Sequence, residues 1–325
     1  MTVTGLTDKD YEASPCVATV GFFDGVHRGH RYLIEQVLAE ARRTSAEAVA
    51  VTFDRHPREV LHSGYRPQML GTLDDKLSLL AATGIDRCVV LSFDEAMAAL
   101  PARAFMDSVL RRSVGVHTLV MGYDNRFGSG RTATFDDYVA YGRELGMSVV
   151  RARPFILNGV SVSSSVIRSF LAEGEVAMAN MCLGRCYSLC GRVVSGEHVG
   201  HRIGFPTANI EPDDPHRLIP APGAYAVRVM ISGDGAADGA FGEPRPAMMN
   251  IGMRPTFGGS SVTLEAHIIG FSGDIYGRAV RVEFVSRLRS ERKFRSGAEL
   301  ATQLRRDAEA AVRELGELNQ QQNQG

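Results

Sequence analysis

The sequence lacks several features that would define a class of protein. The formal net charge is −1 over 325 residues, so no global basic field points to nucleic acid. No apolar stretch approaches the length of a membrane span. The first residues, MTVTGLTDKDYEASP, have neither a basic start nor an apolar core, so no secretory signal is predicted.

Lysine is scarce, because it occurs only at Lys9, Lys76 and Lys293. None of the three follows a GxxxxG loop, which excludes a Walker-type phosphate loop. A nucleotide would have to be bound by another arrangement of residues.

Cysteine is also scarce, and the five cysteines, an odd number, indicate reduced thiols in a cytoplasmic protein rather than a disulfide framework. Cys182, Cys186 and Cys190 recur every four residues, and His198 and His201 follow them. The Cys-x₃-Cys spacing differs from the CxxC pattern of structural zinc sites, and Cys190 is predicted to start a strand. We therefore expect small buried hydrophobic residues here and no structural zinc.

Apolar runs alternate with helical patterns through the first half of the chain. A helix is expected through Ala41, and a capping-box-like TLDD at Thr72 opens another. The strand-like runs are CVATVGFF (16–23), AVAVTF (48–53), CVVLSF (88–93), HTLVMGY (117–123) and MSVVRA (147–152). Such runs predict an α/β domain with a doubly wound parallel sheet, which binds ligands at the carboxyl ends of its strands.

The pattern changes near residue 182. The strand-like segments that follow are YSLCGRVVSGE, GAYAVRVMIS, PAMMNIGM, VTLEAHII and AVRVEFVSRLR. Turns rich in Gly, Pro and Asp separate them, which predicts a small antiparallel β-barrel, and GDGAADGAFGEPR (233–245) is expected to be a long turn or flexible loop. An amphipathic helix is expected over 298–315. The predicted division is 1–181, 182–317 and a disordered polar tail at 318–325.

The stretch GFFDGVHRGH places His27 and His30 three residues apart at the start of a predicted helix. Gly25 and Gly29 leave room for a ligand to approach the backbone, next to the free N–H groups and the positive end of the helix dipole. The histidines could bind phosphate and stabilise charge in a transition state. The alternatives are metal ligands, a proton-shuttling pair, or capping and packing residues. No further ligand lies nearby at zinc spacing.

GFFDGVHRGH resembles the HxGH signature of the nucleotidyltransferase superfamily, in the form found in bacterial FAD synthetases. Three more segments resemble that family, VTFDRHPREVL (51–61), MGYDNRFGSGR (121–131) and VSSSVIRSFLAEGEV (162–176). The resemblance implies a nucleotidyltransferase-type Rossmann-like domain that transfers AMP from ATP to FMN, giving FAD and pyrophosphate.

The same resemblance implies which residues act. The implied catalytic residues are His27, His30 and Arg168, whose guanidinium fork suits phosphate. The implied ATP-binding residues are Gly21, Phe22, Asp24, Gly25, His27, Gly29, His30, Asp124, Arg126, Ser164, Ser165 and Arg168. The implied flavin-side residues are Phe53, Asp54 and His56. An in-line displacement needs positioning and charge neutralisation, so no covalent nucleophile is assigned.

The match departs from the family pattern at three positions. Ser165 stands where threonine is usual, which keeps the hydroxyl. Arg55 replaces a usual proline, and Asn125 stands where an aromatic residue or histidine is common. The last two departures concern the flavin side of the site rather than the reaction.

A second candidate site begins in GHRIGFPTANI (200–210). Thr207 and Asn209 are two residues apart, so their oxygens face the same way on an extended segment, and such hard ligands suit Mg²⁺ bound to phosphates. A rigid polar turn is the alternative. GFPTAN, MNIGMRPTF (249–257), LEAHIIGFSGDIYG (264–277) and LRSERKFRSGAELATQL (288–304) occur in the order found in riboflavin kinases, which they resemble.

By this resemblance, Gly204, Thr207 and Asn209 hold Mg-ATP, and Glu265 is the base that activates the ribityl hydroxyl of riboflavin. The strand pattern places Glu265 and His267 on one face, opposite Leu264, Ala266 and Ile268. Glu283 competes for the role of base. Weaker candidates for a flavin or nucleotide loop are Asn250, Arg254 and Thr256.

The whole chain resembles the bifunctional prokaryotic riboflavin kinase/FMN adenylyltransferase family. The implied ligands are ATP with Mg²⁺, riboflavin and FMN, with flavins as substrate and product, in the cytoplasm, without nucleic acid or membrane. Weak self-association is left open. Two alternatives remain, an adenylyltransferase with a catalytically silent barrel, and a flavin sensor or nucleic-acid binder on the barrel. The near-neutral charge and the lack of an aromatic, basic strand face argue against nucleic acid.

Overall fold

The structure is a computed structural model that describes residues 1–5, 13–61, 64, 67–196, 204–233, 240–256 and 259–322. The chain divides into two compact units, 1–164 and 165–325. The division comes before the boundary near residue 182 that the sequence suggested. Helix Val176–Leu183 belongs with the second unit, where the Asn180 amide donates to the carbonyl of Phe284 and accepts from the N–H of Tyr187.

The first unit is built on a six-stranded, wholly parallel sheet in the order β1-β4-β3-β2-β5-β6. The strands are β1 Thr2–Gly5, β2 Cys16–Val20, β3 Glu47–Phe53, β4 Arg87–Leu91, β5 Val116–Met121 and β6 Ser148–Arg151. Both faces are covered, because Ala18 of β2 packs into one apolar cluster and Val17 into another. The predicted doubly wound α/β architecture is confirmed.

Four helices described in this unit begin at a side-chain cap, at His27, Thr72, Asp94 and Thr134. The helices are α1 Arg28–Thr44, α2 Pro57–Leu61, α3 Leu73–Ala81, α4 Glu95–Ala99, α5 Ala102–Ala104, a π-helix Phe105–Val114, a 3₁₀ turn Ser129–Arg131 and α6 Phe135–Leu145. The capping box predicted at Thr72 is confirmed, because Thr72 and Asp75 bond reciprocally at the start of α3. A two-stranded hairpin, β7 Ile156–Leu157 and β8 Val160–Ser161, follows the sheet.

The edge strand β1 was not predicted from the sequence. It has four residues, none of them buried, and pairs with β4 in parallel register from Thr2 opposite Arg87. A short exposed edge strand has too few apolar positions to give a periodic signal.

The second unit is a closed antiparallel barrel in the order β10-β13-β12-β11-β14-β9, as predicted. Its elements are α7 Ser164–Glu173, α8 Val176–Leu183, β9 Tyr187–Val194, β10 Ala208–Pro212, β11 Gly223–Ile231, β12 Arg245–Thr256, β13 Gly259–Ile268, β14 Ala279–Ser290 and α9 Gly297–Gln322. The alternation predicted for β13 is observed, with Leu264, Ala266 and Ile268 buried and Glu265 and His267 half-buried.

Two segment predictions meet a different outcome. Helix α9 continues through Gln322, whereas a disordered tail was expected from residue 318. Residues 317–322 contain neither proline nor glycine to end the helix, and glutamine is a good helix former. Within the predicted loop 233–245, Phe241 forms a bridge with Ser232, and residues 234–239 lie outside the described ones.

Candidate active sites

The first candidate site is the loop between β2 and α1, at the carboxyl edge of the parallel sheet. His27 caps α1, because its Nδ1 accepts a hydrogen bond from the backbone N–H of His30 at 3.3 Å. The two rings stack with centroids 3.6 Å apart. Since Nδ1 accepts, the proton of a neutral His27 ring lies on Nε2, where it can donate to a ligand. The capping role and a phosphate-binding role are therefore compatible.

The backbone of this loop is held in a costly conformation. Phe23 and Val26 have φ values of 54° and 35°, in a region that non-glycine residues rarely adopt. Gly29 has no space for a side chain, because a Cβ there would lie 2.9 Å from the Val162 carbonyl oxygen and 3.1 Å from the His27 ring. Such strain persists only where the surroundings enforce it, and it is concentrated at functional loops.

The His30 ring is kept neutral by its surroundings. Burial lowers its pKa well below the ordinary 6.5, and the neighbouring His27 and Lys76 lower it further. The edge of the ring meets Phe23 at 5.2 Å, and Nδ1 is buried without a hydrogen-bond partner among the described residues. A neutral imidazole in this position can donate one hydrogen bond to a phosphate oxygen without carrying a buried charge.

Asp24 and Ser164 hold the loop in place. The buried Asp24 carboxylate accepts from the backbone N–H of Leu70 at 3.0 and 3.2 Å. The Ser164 hydroxyl donates to the Asp24 carbonyl at 3.0 Å. Asp24 and Ser164, two of the predicted ATP-binding residues, therefore support the histidine loop directly.

The predicted nucleotide residues after β5 lie at the same edge, because β5 is the neighbour of β2. The Asn125 amide donates to the carbonyl of Val20, at the end of β2. Asp124 and Arg126 are exposed and line a cavity of about 320 Å³, together with Arg151. Asn125, at a position that departs from the family pattern, thus links the loop after β5 to the end of β2, the strand that precedes the histidine loop.

The predicted flavin-side residues follow β3, the other neighbour of β2. Phe53 is 8 % exposed and packs in the core, while the Asp54 carboxylate accepts from the N–H of Phe93 at 3.0 Å. The His56 ring meets Phe22 edge-on at 4.9 Å. The histidine loop after β2, the nucleotide residues after β5 and the flavin-side residues after β3 therefore all lie at the carboxyl ends of neighbouring strands.

Ser165 and Arg168 lie on α7 and belong to the second compact unit. Ser165 is exposed and Arg168 is half-buried. Their part in a nucleotide site with His27 stays a prediction.

The second candidate site is a row of three side chains across the barrel. Glu265 of β13 stands opposite Asn209 of β10 on one side and Asn250 of β12 on the other. Glu265 and Asn250 line a cavity of about 260 Å³ with Thr207. The chain of Gly196 passes so close to the Asn209 amide that no side chain would fit there.

Thr207 lies between two cavities. Besides the one that contains Glu265, it lines a second cavity of about 420 Å³ with Phe271, Asp274 and Tyr276. His267 supports this turn, because its Nδ1 lies 2.8 Å from the carbonyl oxygen of Pro206 and must donate to it. Thr207 and Asn209 offer hard oxygen donors near Glu265, which fits Mg²⁺ held mainly by phosphates rather than by a protein cage.

The remaining barrel candidates separate clearly. Glu283 pairs with Arg281 at 3.7 Å and does not line the cavity that contains Glu265. Gly204 adopts a φ of 83°, which favours glycine at that turn. Arg254 and Thr256 are part of β12, but their side chains lie outside the described ones.

Comparison with known proteins divides the chain into two family segments. The FAD synthetase family model matches residues 9–166, and the riboflavin kinase model matches residues 183–315. A bifunctional riboflavin kinase/FMN adenylyltransferase of Escherichia coli (strain K12) is 37 % identical over 92 % of each chain. The enzyme of that name from Pseudomonas fluorescens is 34 % identical over 95 % of this chain and 96 % of its own.

The chain belongs to the bifunctional riboflavin kinase/FMN adenylyltransferase family. A crystal structure described as a macrolide-efflux protein from Streptococcus pneumoniae shares the architecture, with a TM-score of 0.85 and 29 % identity over 96 % of this chain and 99 % of its own. Among the described residues, no helix is long and apolar enough to cross a membrane.

Each segment that a family model matches contains one candidate site of this chain. His27 and His30 fall in the FAD synthetase segment, and Thr207 and Glu265 fall in the riboflavin kinase segment. Arg168 falls just beyond the first matched segment.

Three supporting residues were missed from the sequence. Lys76 lies 4.3 Å from the ring centroid of Phe22 in the histidine loop, His267 supports the Thr207 turn, and Arg289 lines the Glu265 cavity. One signal was available for Lys76, because it lies on the apolar stripe of α3 with Leu73, Leu77 and Leu80 at helical spacing.

The cysteine cluster is spread over separate elements. Cys182 lies in the last turn of α8, and Cys186 directly precedes β9. Cys190 is the fourth residue of β9 rather than its start. Across the described ranges no group of three or more His, Cys, Asp or Glu side chains could hold a metal ion. His198 and His201 lie outside those ranges.

Proposed function

We propose that the chain makes FAD from riboflavin in two ATP-dependent steps, one at each site. The barrel site phosphorylates riboflavin to FMN, and the parallel-sheet site transfers AMP to FMN. The observation that carries the proposal is the Asn209–Glu265–Asn250 row beside Thr207, because it gives the barrel a carboxylate base next to a phosphate-binding turn. A silent barrel would not need that arrangement.

In the kinase step, riboflavin occupies the cavity with Glu265 and the nucleotide occupies the cavity on the other side of Thr207. Glu265 accepts the proton of the ribityl hydroxyl while the ribityl oxygen bonds to the γ-phosphorus. The bond between the γ-phosphorus and the oxygen that bridges it to the β-phosphate breaks. Thr207 and Asn209 would hold Mg²⁺ that arrives with ATP and neutralises phosphate charge. Asn250 borders the flavin, with Gly204 at the nucleotide turn and Arg254 and Thr256 as weaker loop candidates.

In the adenylyl step, a phosphate oxygen of FMN attacks the α-phosphorus of ATP and pyrophosphate leaves. His27 and His30 donate hydrogen bonds to phosphate oxygens, with Arg168 and Ser165 on the side of the leaving group. The strained loop fixes these donors before substrate binds. Asp124 and Arg126 border the nucleotide, while Asp54 and His56 border the flavin.

The adenylyltransferase occupies residues 1–181 and the kinase 182–317 in this proposal, which fits the segments matched by the two family models. ATP, riboflavin and FMN are its ligands in the cytoplasm. Nucleic acid is not a partner, and any self-association is weak.

Separation of flavins after incubation with riboflavin, ATP and Mg²⁺ tests the proposal. We expect both FMN and FAD from the wild type. Glu265→Gln should lower riboflavin phosphorylation by roughly 100-fold or more and still convert supplied FMN to FAD. The matched control is Glu283→Gln, a half-buried glutamate on another barrel strand, which should keep both activities. A wild type that never phosphorylates riboflavin would leave only the monofunctional alternative.

His30→Ala tests the other site. We expect FMN-to-FAD conversion to fall by roughly 100-fold or more while riboflavin phosphorylation is unchanged. His117→Ala, an exposed histidine on β5, is the control and should keep both activities. Equal loss of both activities in His30→Ala would mean that the residue serves the fold.

A further inference from the structure

Lys76 is a buried cation at the edge of the sheet where the first site lies, and it belongs to neither set of predicted site residues. It is 4 % exposed on α3, whereas Lys293 is exposed. Burying an ammonium group costs folding free energy unless something compensates it. A long-chain cation in the apolar stripe of a helix therefore needs a reason beyond packing.

The Lys76 ammonium contacts residues at the carboxyl ends of two adjacent parallel strands. Its Nζ donates to the carbonyl oxygen of Phe53, the last residue of β3, at 2.7 Å. It also lies 4.3 Å from the ring centroid of Phe22, which follows β2. Phe22 in turn meets the predicted flavin-side residue His56. One ammonium thus holds the histidine loop against the segment after β3.

The charge of Lys76 is poorly compensated by the protein itself. The titratable groups that face it are Asp24 after β2, Asp54 after β3, Cys88 on β4 and His30 on α1. In the described part of the chain it forms no ion pair with a carboxylate, and burial outweighs its acidic neighbours and lowers its pKa to about 8. A site that binds phosphates would supply the missing negative charge.

We propose that Lys76 is a positioning residue for adenylyl transfer, which holds the Phe22 ring and the Phe53 carbonyl so that FMN is set against the histidine loop. The inference rests on the proposed function of the first site. Lys76 is too deeply buried to touch substrate and acts through these two contacts, while its positive charge attracts phosphate at short range.

The test compares Lys76→Met and Lys76→Arg with substitution of a matched buried cation. This cation lies at the amino-terminal ends of the strands of the same sheet, whereas Lys76 lies at their carboxyl ends. Arg87 begins β4 and pairs with Glu47 at 2.7 Å, far along the strands from the site. In Lys76→Met we expect kcat/KM for FMN to fall roughly ten-fold or more, with KM for ATP within about two-fold of wild type. Arg87→Met should leave both constants unchanged and lower the thermal stability of the first unit.

Lys76→Met should show the opposite pattern, with lost activity and undiminished stability. Because the folded pKa of about 8 lies below the ordinary 10.5, the protonated form burdens the folded state below pH 8, and this cost disappears as the pH rises from 8 to 10.5. Any stability advantage of Lys76→Met over wild type should therefore be present at pH 7 and vanish by pH 10.5.

The pH profile of FAD formation gives an independent result. Wild type should lose activity above pH 8 as Lys76 loses its proton, and Lys76→Met should lack this limb. Lys76→Arg should recover part of the activity and extend it to higher pH, because a guanidinium stays protonated. Riboflavin phosphorylation in the same samples is the reference for each pH.

Two results would overturn the inference. One is a Lys76→Met protein with wild-type kcat/KM for FMN and an unchanged alkaline limb. The other is a loss of activity that parallels a loss of stability, as for a structural cation. A wild type that makes no FAD from FMN would instead reject the proposed function, so the two failures are distinguishable.

Discussion

Asp307→Ala should destabilise the second unit more than Glu299→Ala, a substitution at a more exposed position on the same helix. Asp307 is 4 % exposed on α9, and its carboxylate accepts from Arg289 Nε at 3.0 Å and from Nη2 at 2.8 Å. Gln303 donates to the same carboxylate at 2.8 Å. Removing the acid leaves the guanidinium of Arg289, whose side chain is 17 % exposed, without its charged partner.

The magnitude follows from that burial. Breaking a buried ion pair at one partner costs ~3–5 kcal/mol, and the partial exposure of Arg289 favours the lower value, about 3 kcal/mol. For a unit of this size each kcal/mol lowers the melting temperature by roughly 2–4 °C, so the expected loss is roughly 6–12 °C.

Calorimetry with Glu299→Ala as the control measures this effect. Glu299 pairs with Arg292 on the exposed side of α9, and losing that pair should cost less than about 1 kcal/mol. Below its melting temperature, Asp307→Ala should also lose riboflavin phosphorylation, because Asp307 and Arg289 line the Glu265 cavity, and keep FMN-to-FAD conversion. Arg289→Met/Asp307→Leu should recover part of the stability. A melting temperature no lower than that of Glu299→Ala would refute the reasoning.

Two further substitutions address the sites directly. Gly29→Ala places a Cβ against Val162 and the His27 ring, so FMN-to-FAD conversion should fall roughly ten-fold or more while riboflavin phosphorylation is unchanged; wild-type FAD formation would contradict this. His267→Phe keeps a ring but removes the donor to Pro206, so KM for ATP in riboflavin phosphorylation should rise several-fold, and an unchanged KM would show that the Thr207 turn needs no such support.

The fold class could be predicted because it depends on local patterns. Continuous apolar runs such as β2 and β3 are buried on both faces, whereas β13 alternates, and each pattern is visible within a few residues. What could not be predicted were features set by weak local signals. Strand β1 is short and lies at an edge, and the end of α9 has no stop signal.

The candidate sites were predicted only in part. The motifs placed His27, His30 and Glu265 because phosphate and base chemistry depend on particular residue types at particular spacings. Lys76 and His267 were missed as supporting residues because their partners, Phe53 and Pro206, are distant in sequence. The roles of Ser165 and Arg168 in a site with the histidines stay predictions.

The sequence alone determined the two architectures, their order and the position of each motif, since hydrophobic period and turn chemistry are local properties of the chain. The family resemblance alone favoured Glu265 over Glu283 as the base. The tertiary structure adds a physical reason, because Glu265 lines the cavity with Thr207 and Glu283 does not. The tertiary structure also decided that Lys76 is buried against the carboxyl ends of β2 and β3. Burial and partnership of charges depend on neighbours brought together by folding, which no local pattern contains.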